Sequence, residues 1–135
     1  MTTARAGAAY FLVVFIVAFA VGAFRVTIVA PRVGAFMAVG LEVPLILAVS
    51  WFASRWVCTR FDVAGHTAPR LLMGAVAFAL LMAAELALAV FAFGRPVDVY
   101  LASFTAPEGL IGLLGQVAFA FIPAMQVPGA AKAGQ

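Results

Sequence analysis

The stretch AGAAYFLVVFIVAFAVGAF, residues 6–24, runs 19 residues without a charge behind a short polar start that contains Arg5. Held as an α-helix at about 1.5 Å of rise per residue, such a run crosses a hydrocarbon core about 30 Å thick. Three similar runs come after it. Residues 33–54 are apolar apart from Glu42, with Pro44 two positions on, and residues 71–94 carry a single charge, Glu85. Residues 109–127 carry none, although Gln116 and Pro123 lie among them. Inside lipid every backbone polar group has to be satisfied within its own segment, which selects helices for isolated spans of this kind. The expected fold class is therefore an all-α integral membrane protein, with four transmembrane helices in an up-down-up-down bundle. They are expected over residues 6–29, 33–57, 70–94 and 109–127, forming one domain over residues 1–135. The opening run also has the form of a cleavable secretory leader, with Arg5 before it and Ala18-Phe19-Ala20 as a small-residue cleavage site, but a spanning helix is the reading adopted.

Composition points the same way. Of 135 residues, 67% are hydrophobic and 10% charged, and the mean hydropathy is +1.19. Soluble domains run at about 45–50% apolar and about 25% charged, so this chain has too few polar residues to cover a core against water. The bilayer is its expected partner. The net charge of +3 comes from eight basic residues scattered at the ends of the runs rather than gathered in a stripe, which argues against nucleic acid.

The punctuation lies between the runs. Pro31 and Gly34 mark a tight turn, and Trp51, Arg55, Trp56 and Arg60 give the aromatic and basic mixture found where a helix enters the headgroup region. Residues 59–70 read as a polar loop with Asp62, Gly65, His66 and Pro69, and Gly94-Arg95-Pro96 is a helix stop. Residues 95–108 form the longest loop on the opposite side, and the small-residue tail with Lys132 is expected to be disordered. Four spans put both termini on one side. Arg5, Arg55, Arg60, Arg70 and Lys132 fall there, against Arg25, Arg32 and Arg95 on the other, so cytoplasmic termini in a bacterial-type inner membrane are expected.

The informative residues are charges where lipid disfavours them. Counted from the turns, Arg25, Glu42 and Glu85 stand roughly 9, 16 and 14 Å from one membrane face. Each costs about 2.5–3.5 kcal/mol if it faces lipid, so the three are expected to face one another. Ala18 and Gly22 share the Arg25 face, and Ala35 and Ala38 share the Glu42 face, where small side chains allow close approach. One arginine against two glutamates leaves a charge of −1, which a proton or a bound cation would relieve. The candidate site is thus an intramembrane ion-pair, proton or cation site of Arg25, Glu42 and Glu85, with Arg32, Pro44 and Gln116 as possible support; in its sharper form a proton or cation binds the two glutamates with Arg25 as counter-ion. Pro44 frees the Gly40 carbonyl beside Glu42. The reading preferred over that sharper form is a structural ion pair of Arg25 with one glutamate, the other pairing with Arg32 or reaching water.

Other chemistries find no footing. Lone Cys58 provides no disulfide and no thiolate metal site, and lone His66 no paired haem ligation. Ser50 and Ser54 have no histidine or lysine at their depth to act as base. No glycine-rich phosphate loop occurs. No cofactor, metal or catalytic set is expected, and enzymatic activity is not. Two functions remain. The preferred one is a structural or accessory membrane subunit, or assembly factor, packed against a larger complex or itself. The other is a small oligomeric proton- or cation-coupled transporter or channel using the glutamate pair.

Overall fold

The computed structural model describes residues 2–92 and 94–126, and no strand occurs among them. Helix α1 (Thr2–Phe24) runs without a break through a π turn (Arg25–Val29) into a short α2 (Ala30–Val33). Helix α3 spans Ala35–Arg60. Helix α4 (Thr67–Ala87) likewise continues through a π turn, Leu88–Ala92. A short α5 (Val97–Ala102) and a 3₁₀ turn (Ser103–Thr105) lead into α6 (Pro107–Met125). Four helical stretches are long and apolar enough to span a membrane: Thr3–Val33, Ala35–Arg60, Thr67–Ala92 and Pro107–Met125.

The first stretch outruns its expected end at residue 29, because Pro31 does not stop it. A proline ring crowds the carbonyl four residues earlier and has no N–H to offer; the wider π turn directly before it loosens that register, so the helix continues until Gly34. Gly34 has φ +89°, a conformation that costs a side-chain-bearing residue energy, and the chain reverses there into α3. Residues 95–108, expected as a plain loop, hold α5 and the 3₁₀ turn. The tail with Lys132 and the end of the expected fourth helix at residue 127 lie outside the described residues.

The long helices form a ring in which α1 and α6 each pack against both α3 and α4. The α4–α6 crossing is tight: a β-carbon on Gly74 would run into the Ala120 carbonyl, so only glycine allows that approach. Gly7 plays a similar part between α1 and α4, where an added β-carbon would meet the Met73 carbonyl oxygen at 2.7 Å. The core is built around Tyr10, Val14, Val57, Met73, Leu81 and Phe119. Large apolar side chains cover the outside, Phe52 at 69% and Phe91 at 86% exposure among them.

Buried polar groups in this core are matched. Pro123 removes the N–H that would have bonded the Phe119 carbonyl, and the Tyr10 hydroxyl donates to that carbonyl at 2.7 Å while its ring stacks on Phe119 with centroids 4.4 Å apart. Arg70, buried at the start of α4, donates from Nη1 to the Pro123 carbonyl and from Nε to that of Ala64. A guanidinium against the last turn of α6 satisfies carbonyls the helix leaves open and matches its negative end. The Ser54 hydroxyl donates to Gln126 Oε1, and Gln126 Nε2 to the Trp51 carbonyl.

Candidate functional site

Directly beyond this core the four long helices part around a cavity of about 440 Å³. Val14, Leu81 and Phe119 belong both to the core and to the cavity wall, so the packed half of the bundle forms the cavity floor. Toward the α5 segment the wall becomes polar. Arg25, Glu42, Glu85 and Gln116 contribute one side chain from each long helical stretch, and Arg95, Tyr100, Ser103 and Glu108 line the side nearest the connecting segment.

Arg25 is the first residue of the π turn that continues α1. Such a turn inserts one residue and rotates the downstream positions around the axis, which changes where this side chain is aimed. Its guanidinium Nε pairs with Glu42 Oε2, the only ion pair among the described residues, with side chains 30% and 16% exposed respectively. Gly22 leaves room for it: an added β-carbon there would stand 3.6 Å from Arg25 Nη2 and 4.0 Å from Glu42 Oε1.

Glu85 has different company. Its Oε2 accepts from Gln116 Nε2 at 2.6 Å and from the Tyr100 hydroxyl at 3.5 Å, the latter a long and weak bond. Both donors are neutral. Tyr100 is itself buried and fixed, since its ring meets Phe104 edge to face at 5.2 Å and the Ser103 hydroxyl donates to its carbonyl. Burial, then the Glu85 charge and the bond to it, push the Tyr100 phenol up to about 12. Gln116 Oε1 is buried without a hydrogen-bond partner among the described residues.

Arg25, Glu42, Glu85 and Gln116 are thus brought to one cavity, with Ala18 in its wall. Arg32 and Pro44 are not. Arg32 is exposed on α2 and Pro44 lies on α3, and neither Pro44 nor Gly40 lines the cavity. The sequence reading missed Tyr100, Arg95 and Glu108 as members. An aromatic residue in an interfacial segment was visible there, but nothing in the sequence says that it folds back onto Glu85. Among the described residues no group of three or more histidine, cysteine or acidic side chains is placed to hold a metal ion. Charges lining the cavity comprise two arginines and three glutamates, a formal sum of +2 − 3 = −1. No family model, curated protein or solved structure matches the chain.

Proposed function

We propose that the protein is an integral membrane protein, its chain crossing the bilayer up, down, up and down as one domain, and that its cavity is an intramembrane proton or cation site serving a small carrier or channel. Glu85 takes the proton or cation. Arg25 holds the charge of Glu42, while Arg95 and Glu108 stand at the mouth. The observation that carries this reading is the mismatch at Glu85: the cavity contains one more acid than base, and among the described residues this carboxylate meets only the neutral donors Gln116 and Tyr100. A charge left without a counter-charge in a low-dielectric site invites a cation, and intramembrane carboxylates commonly mark proton and ion pathways. Four helices enclose little space, so a continuous path would require a homo-oligomer.

The test is an infrared pH titration of the full chain in bilayers. A carboxyl carbonyl band that titrates in the wild type, persists in Glu42→Gln and vanishes in Glu85→Gln is expected. A spectrum unchanged by Glu85→Gln removes Glu85 from the mechanism.

A second reading, an accessory subunit of a larger membrane complex, draws on one feature. The outer faces of α1, α4 and the π turn after α4 leave an apolar groove between Phe15, Ala84, Ala87, Leu88, Phe91 and Ala92. Co-purification of a stoichiometric partner from native membranes would favour it.

A further inference from the structure

The cavity has a second property that a bare proton site does not require: most of it is carbon. One turn toward the core from Glu42, Glu85 and Gln116, the wall changes to Ile46, Leu81 and Phe119, and Val14 completes this tier from α1. The result is a chamber of about 440 Å³ with a polar rim carrying a surplus negative charge above an apolar floor. That volume falls within the range of about 300–1,000 Å³ that holds small molecules.

Resting on the reading of Glu85 as the cation acceptor, we infer that the cavity binds an amphiphilic organic cation, its charged nitrogen against Glu85 and its apolar body on the floor. A bare metal ion fits poorly. Calcium asks for six to eight oxygens and magnesium for six, whereas Glu85 has beside it only the Gln116 amide and the Tyr100 hydroxyl, Glu42 is paired with Arg25, and among the described residues no three acidic, histidine or cysteine side chains are placed to share an ion. An organic monocation with a bulky apolar body gives up its water more readily than a divalent metal ion and brings its own apolar surface to cover the floor. The buried and unpartnered Gln116 Oε1 is a ready acceptor for an N–H of such a ligand. Tyr100 and Phe104 in the wall supply aromatic rings, and ring faces attract cations within about 6 Å. Arg25 does not oppose the ligand, because its charge is already matched by Glu42.

The experiment uses the full chain in phosphatidylcholine nanodiscs titrated with ethidium, monitored by fluorescence anisotropy after subtraction of empty discs. Saturable binding near one per chain is expected. Two variants probe the two halves of the site: Glu85→Gln removes the counter-charge and Ile46→Trp fills the floor without altering any charge. Each is expected to weaken ethidium by about ten- to a hundredfold, the range of one charged hydrogen bond or one lost apolar contact surface. Glu85→Asp is expected to recover part of that affinity. Helical circular dichroism and a single elution peak identify the variants that fold, and either one suffices. Absence of saturable binding to the wild type overturns the inference, as does affinity indifferent to both substitutions or a preference for anilinonaphthalene sulfonate, an anion of similar bulk. A Glu85 carboxyl band that titrates in bilayers while ethidium does not bind ends the ligand inference and leaves the site reading standing; loss of both ends both.

Discussion

Tyr100 shows how a residue outside the four long helical stretches reports on one within them. Its hydroxyl donates to Glu85, so removing the phenolic proton would place two negative groups side by side, and its burial already disfavours the phenolate. The folded protein therefore holds this proton more tightly than the unfolded chain does. The stabilising contribution is complete below the ordinary phenol value of 10.0 and is lost as pH rises from there to about 12. The chain has two tyrosines, so the difference in tyrosinate absorbance between wild type and Tyr100→Phe isolates this group. A midpoint near 12 is expected, lower in Glu85→Gln but still above 10, because burial, the larger cause, remains. A midpoint already at 10 in the wild type, or one that Glu85→Gln does not move, would mean that Tyr100 does not rest buried against Glu85. This contact was beyond the sequence. Arg25, Glu42 and Glu85 announced themselves by being charged within apolar runs, whereas Tyr100 belongs to a loop of ordinary composition and joins the site only through the fold of α5.

Among the helices, the decisive contacts answer defects in backbone bonding. Pro123 leaves the Phe119 carbonyl without its helical donor, and Tyr10 supplies one from α1, across the ring. Tyr10→Phe is expected to destabilise the bundle by about 0.6 kcal/mol and by no more than about 1.7 kcal/mol, the average and the largest values for hydrogen bonds between membrane helices. In a Pro123→Ala background the restored N–H serves the same carbonyl, so Tyr10→Phe should there cost close to nothing. Unfolding of the four variants in mixed detergent micelles gives this coupling, and equal costs in both backgrounds would refute it. Helix number and approximate placement were legible because long uncharged runs admit few alternatives. Boundaries were less so. Pro31 read as a turn, yet a π turn carries the helix past it, since that register change depends on spatial fit and has no residue signature. Gly74 was equally silent: one glycine among many in the chain, it matters only because Ala120 of another helix comes against it.

The whole molecule is asymmetric, with a packed half around Tyr10 and Met73 and a hollow half around Glu85. If the basic residues orient the chain as expected, Arg5, Arg55, Arg60, Arg70 and Lys132 are cytoplasmic, and the cavity mouth at Arg95, Tyr100 and Glu108 faces the other side. Exposed positions in the two connecting segments allow a direct check. In a Cys58→Ala background, which removes the single native cysteine, a membrane-impermeant maleimide is expected to label Asp98→Cys in intact cells and His66→Cys only after lysis. The reverse pattern would turn the cavity mouth toward the cytoplasm. The bias behind this orientation is five basic residues against three, a margin of two. Arg55→Ser together with Arg60→Ser leaves 5 − 2 = 3 on each side, and both residues are exposed at the end of α3, so their loss should leave packing of the bundle intact. With the bias cancelled, the two reporter cysteines should each be labelled in part of the intact-cell population. Unchanged one-sided labelling would show that something other than these charges, such as assembly with an already oriented partner, decides which way the cavity opens.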